Sequence, residues 1–322
     1  MDLLTFDEAL AEAGDDISVL LGNGFSQAYD HHIFNYRNLL DNANFGVRHE
    51  SIKDIFRKLE TYDFEKVMQS LEFTEIVNSI YRAPQQLIDY IADDMENLKN
   101  ALVNAIANSH PQRSSYVSTQ QYRRSCEFIS NFSNVFTLNY DLLLYWTINK
   151  LSDTGDYDDG FRRGGCWNTP ERQNIFFLHG ALHLLEGNDG MTTKLRFNDR
   201  DDQSIIDAVA DNLHTNTFPL FVSEPTSIKK LQKIRKSPYL NHCFEELKYI
   251  SGSLFIHGHS MDENDRHIFS KINESNISRV FISMFGNINS EPNRSLEANS
   301  MRFFRRDMNI NFYDASSTSI WN

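Results

Sequence analysis

The feature that most constrains this 322-residue chain is the run ISVLL at 17–21, which ends without a spacer in Gly22-Asn23-Gly24-Phe25-Ser26. A short apolar run that does not alternate with polar residues reads as a strand buried on both faces, and a glycine pair directly after it reads as a tight turn into a helix. Strands of that kind need helices above and below them. Similar β-rich runs return at 134–138, 175–178, 220–223, 253–257, 279–284 and 309–313, most ending in a glycine or a polar residue, with helical periodicity between several of them, as at 141–151 and 228–250. The pattern predicts one Rossmann-like α/β domain over residues 1–322, with a mostly parallel six- or seven-stranded sheet and helices on both faces.

One stretch breaks the alternation. From about Ser51 to Ala107 apolar residues recur at three and four, through DIFRKLETYDFEKVMQSLEF and QLIDYIADDMENLKNALVNAIA, with Pro84 and Pro111 as punctuation. This predicts an all-helical insertion over 48–130. The Gly- and Asp-rich segment 151–172 reads as a loop.

Composition narrows the function classes. A formal charge of −13 argues against direct nucleic-acid binding, which depends on clustered Lys and Arg. The densest basic clusters, Lys229, Lys230, Lys233, Arg235 and Lys236, and then Arg302, Arg305 and Arg306, read as solvated helix faces. No run approaches the roughly 20 apolar residues that span a bilayer, and the acidic start lacks signal-peptide features, so no membrane partner is expected. Three scattered cysteines, Cys126, Cys166 and Cys243, form no CxxC pair. They suit a reducing cytoplasm and give no zinc site.

Ligands of doubly wound sheets bind at the carboxyl ends of the strands, and four such ends carry unusual residues. Gly22, Asn23, Gly24 and Ser26 form a turn in which glycines admit a close ligand backbone, although Gln27 stands where a GxGxxG would place its last glycine. Asn139 and Asp141 follow the second run, offering an amide and a carboxylate to hydroxyls, a water or a carboxamide. His179 ends the third, where an imidazole can act as a general base. Its HxxxH spacing with His183 has Gly180 where a zinc protease needs glutamate, so no metal is expected there. Gly258, His259, Ser260, Met261 and Asp262 follow the fourth. Here GxSxG fails at Asp262, and helix capping is a simpler reading of His257, His259, Asp262, Asp265 and His267 than a metal cluster.

Taken in order, these elements resemble the sirtuin-like family, in particular bacterial NAD+-hydrolysing effectors of antiphage defence. Gly22-Asn23-Gly24-Phe25-Ser26 is similar to that family's GAGxS turn, FTLNYD at 136–141 to its T-x-N-hydrophobic-D segment, Leu178-His179-Gly180 to its histidine motif, and GHSMD at 258–262 to its GxS loop. DFEKVMQSLE at 63–72, VSEPTSIKKLQKI from Val222 and the terminal FYDASSTSIW extend the likeness over nearly the whole chain. The four-cysteine zinc module of protein-deacylating sirtuins is missing from it.

The resemblance implies an enzyme that cleaves NAD+ to nicotinamide and ADP-ribose, with no cofactor beyond NAD+ as substrate and no zinc. It implies Asn139 and His179 as catalytic residues and Asp141 at the carboxamide. It places Gly22, Asn23, Gly24 and Ser26 at the pyrophosphate, Gly258, His259 and Ser260 on the adenosine side, and the segment after Met284 as an adenine wall. It further implies a homo-oligomer and a regulatory partner such as a HerA-type ring ATPase. A module that senses NAD+ or ADP-ribose without cleaving it, and an NAD-dependent deacylase or ADP-ribosyltransferase, are the alternatives.

Overall fold

The strand β1 (Ile17–Leu21) is buried along its whole length and lies inside a six-stranded parallel sheet. The structure, a computed structural model, describes residues 3–151, 156–161, 165–168, 172–187, 190–195, 204–215 and 217–322. On one side β1 pairs with β2 (Asn134–Thr137), which pairs with β3 (Ile175–Phe177). On the other it pairs with β7 (Ser251–His257), followed by β8 (Asn276–Met284) and β9 (Asn309–Asp314). The sheet order is β3-β2-β1-β7-β8-β9. Numbered within the sheet, this is the 3-2-1-4-5-6 order of a doubly wound fold, whose direction of winding reverses between β1 and β7. Right-handed crossovers place the helices of the two halves on opposite faces.

Between β1 and β2 the chain forms only helices: α2 (Gly24–Gln27), α3 (Tyr36–Asn42), α4 (His49–Lys58), α5 (Phe64–Ile80), α6 (Gln85–Ser109) and α7 (Thr119–Ile129), with short 3-10 turns. Asp63 caps α5 by accepting from the amides of Glu65 and Lys66. Pro84 stands just before α6, and α6 ends two residues before Pro111, as expected of a residue without an amide proton.

Three expectations need correction. The run at 220–223 contributes β6 (Pro219–Phe221) to a separate antiparallel sheet, with β4 (Gly180–Glu186) and β5 (Thr192–Lys194), rather than to the parallel one. The chain leaves the main sheet at Gly180, whose φ of +78° and whose approach to the Leu220 carbonyl leave no room for a Cβ. The helix read at 228–250 is two, α10 (Ser227–Lys236) and α11 (Pro238–Glu246), broken where Pro238 starts a new first turn. The basic clusters are not simply solvated faces: Lys230 is 1% exposed, and the Arg305 guanidinium donates to the carbonyls of Asn273, Ser275 and Ile277. Of the loop read at 151–172, residues 156–161 and 165–168 are described, where the Tyr157 hydroxyl bonds the carbonyls of Ile129 and Phe132. The other residues between 152 and 171 lie outside the described residues. Among the described residues no helix is long and apolar enough to cross a membrane.

Where the winding reverses, two backbones touch. Gly22 and Gly24 donate to the carbonyls of His257 and Gly258 at 2.9 and 2.8 Å. A Cβ on Gly24 would lie 2.4 Å from the Gly258 Cα, and Gly258 itself has a φ of +69°. Gly24→Ala is therefore expected to cost more than about 2 kcal/mol of stability, measured by urea unfolding, because neither loop can retreat without losing these bonds. A variant as stable as the parent would show that the loops can part.

Candidate functional site

The turn after β1 and the end of β2 are joined by one buried polar cluster. The Ser26 hydroxyl donates to Asp141 Oδ2 at 2.5 Å, and Asn139 Nδ2 donates to the Gly22 carbonyl at 3.0 Å and to Ser26 Oγ at 3.1 Å. Asp141 Oδ1 accepts from the Leu143 amide, capping the start of α8 (Leu143–Leu151). Burial raises the Asp141 carboxyl above its ordinary range, against the bonds from Ser26 and Leu143 that lower it. Because Nδ2 is committed to a carbonyl, the orientation of the Asn139 amide is fixed. Its Oδ1 takes no hydrogen bond from a described residue, leaving one oriented acceptor at the carboxyl end of β2.

The end of β3 lies beside it. Thr137 and Phe177 are the last paired residues of β2 and β3, and the Leu178 amide donates to the Thr137 carbonyl. Two residues beyond each of these come Asn139 and His179, just past the ends of the two strands. His179 is 2% exposed. Its Nε2 lies 3.4 Å from His267 Nε2 and 3.8 Å from Asp265 Oδ1. His267, in α12 (Arg266–Ile272), is anchored by Ser227, whose Oγ accepts from its amide at 2.8 Å and lies 3.1 Å from its Nδ1. Burial, with the Lys230 charge, pushes His179 well below the usual histidine range despite Asp265, and burial brings His267 down to about 4. Both rings are thus neutral, and one of the two facing Nε2 atoms carries the hydrogen they share.

A buried ammonium organises the acids. Lys230 Nζ lies 2.8 Å from Glu65 Oε2 and 2.9 Å from Asp265 Oδ1. Asp265 Oδ2 also accepts from His259 Nε2 at 3.0 Å, while His259 Nδ1 accepts from the Met261 amide. Burial alone would raise Asp265, but Lys230 and the His259 bond outweigh it and hold the carboxyl well below its ordinary range. Burial carries Glu65 the other way, to about 7, against the pull of Lys230. Glu65 comes from α5, so the helical segment reaches into the strand-end cluster.

Asn139, Asp141, Ser26 and Gly22 are in one bonded group, and Gly24 is bonded to Gly258 instead. His179 lies just past the end of the neighbouring strand β3 and meets His259 through Asp265. Asn23 faces away, donating to the Phe34 carbonyl, and Ser260 is exposed, its hydroxyl without a partner among the described residues. The amides of Gly22 and Gly24 are spent on β7 and the Ser26 hydroxyl on Asp141, so what this turn shows is loop packing. Asp262 caps the following turn as read, but His259, Asp265 and His267 do converge, and they do so on His179. The ligand atoms of His179, Asp265 and His267 lie within 4.8 Å of one another, a spacing that a cation could bridge. Lys230 already places its own positive charge on the same Asp265 oxygen.

Sequence reasoning missed Lys230, Glu65 and Tyr140, whose hydroxyl donates to the Val222 carbonyl. Lys230 had a signal: it lies four residues before the buried Ile234, on the apolar face of α10. Nearby, an open cleft of about 610 Å³ is lined by residues of 31–37 and 61–66, including His31, Arg37, Tyr62 and Lys66. Tyr36 borders both regions. Tyr36 is 41% exposed and lines the cleft, and burial, then the Glu65 charge, raise its hydroxyl well above the ordinary range.

The family described as "Domain of unknown function (DUF4917)" matches residues 19–321. Among curated proteins none matches the chain. Among solved structures, one similar in fold is a Sir2 homologue carrying a histidine-to-asparagine substitution, in complex with ADP-ribose, at 11% identity and a TM-score of 0.33, covering 94% of this chain and 96% of that one.

Five buried histidines make the fold acid-sensitive. Burial lowers His110 and His257 to about 4, like His267, and takes His179 and His183 well below 6.5. A depressed folded-state pKa gives stability that is present above pH 6.5 and lost as pH falls toward and through the folded value. The raised carboxyls of Glu65, Asp63 and Asp141 act in the opposite sense and are outnumbered. Calorimetry should find a lower Tm at pH 5.5 than at 7.5, and an equal or higher one would contradict this account.

Proposed function

We propose that this chain, which belongs to the DUF4917 family, binds NAD+ at the carboxyl ends of its parallel strands and hydrolyses it to nicotinamide and ADP-ribose. The observation that carries the reading is that Asn139 and His179 each lie two residues past the last paired residues of neighbouring strands, close to the point where the winding reverses. Supporting it are the resemblance of the strand-end motifs to sirtuin-like NAD+ hydrolases and the neutral state of His179.

The chemistry asks little of the protein at the leaving group. Nicotinamide departs from a cationic pyridinium, taking the C1′–N electron pair and leaving neutral, so no acid is required. The ribose becomes oxocarbenium-like, and water adds to C1′ while giving up a proton. Asn139 Oδ1, held by its committed Nδ2, orients a ribose hydroxyl or that water, and neutral His179 accepts the proton. The His267 ring beside it can relay the charge, and Asp265 stabilises it. Ser260 offers an exposed hydroxyl to the adenosine side. By the same resemblance we propose that the activity serves bacterial antiphage defence through NAD+ depletion in the cytoplasm, in an oligomer and under control of a partner such as a HerA-type ATPase.

One observation favours a second reading, a module that binds NAD+ or ADP-ribose without cleaving it: Ser26 and the amides of Gly22 and Gly24 already have protein partners. Chromatography of NAD+ incubated with the purified protein separates the two. Nicotinamide release supports hydrolysis, and binding without product supports the sensor.

His179→Ala and Asn139→Ala are each expected to lower nicotinamide release by about 10²-fold or more while leaving the circular dichroism of the fold intact. Full turnover in both would refute the assigned roles. The rate should be level above pH 6.5, where His179 is already neutral, and should fall on the acid side as it is protonated. A rate that climbs below pH 6.5 would contradict the base.

A further inference from the structure

Two imidazoles and a carboxylate from separate parts of the chain converge at the start of α12. Asp265 closes the 3-10 turn Glu263–Asp265 and His267 lies in the first turn of the helix that follows, whereas Arg266 between them is exposed. His179 comes to them from just past the end of β3. Its Nε2 stands 3.4 Å from His267 Nε2 and 3.8 Å from Asp265 Oδ1, and the ligand atoms of all three fall within 4.8 Å of one another. As a hydrogen bond the contact between the rings is long, since N–H donors prefer about 2.7–3.2 Å. As the edge of a coordination tetrahedron it is the right length: bonds of about 2.0–2.1 Å at the tetrahedral angle separate neighbouring ligand atoms by about 3.3–3.4 Å.

We propose that His179, His267 and Asp265 form a reversible binding site for a divalent cation of the zinc type, and that filling it silences NAD+ cleavage. The silencing rests on the NAD+ reading above, because the ion takes the His179 lone pair that would accept the proton; the binding does not. Two imidazole nitrogens and one carboxylate oxygen select Zn2+, Co2+ or Ni2+ over Mg2+ and Ca2+, which prefer oxygen ligands throughout. The groups behind the ligands are those such a site needs. Ser227 Oγ lies 3.1 Å from His267 Nδ1 and accepts from the His267 amide, so that ring is held from the side away from its Nε2. His259 Nε2 bonds Asp265 Oδ2 at 3.0 Å, which leaves Oδ1 for the cation. Lys230 Nζ lies 2.9 Å from the same Oδ1 and 2.8 Å from Glu65 Oε2. A carboxylate oxygen has two lone pairs, so Oδ1 can hold the ammonium and an ion together. The ammonium still repels the ion, which favours reversible occupation over a permanent structural metal. The Asp265 side chain is 14% exposed and gives an ion its path from solvent.

The test titrates chelator-treated full-length protein with Zn2+ by calorimetry and with Co2+ by visible absorption, and follows NAD+ cleavage in parallel. One ion per chain and the intense visible bands of four-coordinate Co2+ are expected, with nicotinamide release falling as the site fills and returning with chelator. His267→Ala should weaken ion binding by about 100-fold and Ser227→Ala by about tenfold, with circular dichroism unchanged. The double variant His31→Ala, His32→Ala, at an exposed histidine pair, should bind as the parent does. Less than one ion per chain, a Co2+ spectrum no different from that of the hydrated ion, or equal binding by the parent, His267→Ala and Ser227→Ala overturns the site. Binding with undiminished nicotinamide release overturns the silencing. Should the chelated chain cleave no NAD+ at all, the NAD+ reading fails, and the two titrations still decide the site.

Discussion

Two backbones bare of side chains meet where β1 and β7 end, and the geometry of the site is set by how closely they meet. Gly24 and Gly258 leave each other no room for a Cβ, so the two loops are held together by amide-to-carbonyl bonds rather than by side-chain packing. The turn after β1 is clamped from its other side by Trp321, which is buried against Phe25 and donates its indole proton to the Phe25 carbonyl. With the turn fixed, Ser26 is aimed at Asp141 and the Gly22 carbonyl at Asn139. The orientation of the Asn139 amide is thus inherited from a contact between glycines of the loops that follow β1 and β7.

The imidazole side of the site depends on charge instead. Lys230 is removed from water, which is tolerable only because Glu65 and Asp265 face its ammonium from two elements. Asp265 in turn holds the His259 ring and lies near His179 and His267. An ion cluster of this kind contributes little net stability, because desolvation offsets the attraction, but it is exacting about position: removing one member leaves the others uncompensated in a dry interior. It also ties α5 to the strand ends, so a displacement of the helical segment is felt where the imidazoles meet.

How much of this could be read from the sequence follows from the range of the interactions. Strand β1, its glycine turn and the alternation with helices are local patterns and were legible, as was the placing of Asn139 and His179 just past the ends of strands. The run at 220–223 was recognised as a strand but not its sheet, because pairing partners are set by Gly180 and the reversal it permits, forty residues upstream. Glu65 sits in the acidic first turn of a helix capped by Asp63. Nothing local shows that its carboxylate meets an ammonium 165 residues away. Lys230 was taken for a surface charge because its neighbours Lys229, Lys233 and Lys236 are charged too, although its phase relative to Ile234 distinguishes it.

The order of the strands has a consequence for how the molecule comes into being. Ser18 pairs with Asn134 and Ile17 with Ser253, so β1, among the earliest parts to be synthesised, has both its neighbours only after most of the polypeptide has been made. Such distant pairing makes for a slow final assembly, with the intervening helices free to form first from local contacts. A nascent chain therefore holds Gly22 and Ser26 long before Asn139 and Asp141 exist for them to meet, and the strand-end cluster is complete only once the sheet closes around β1.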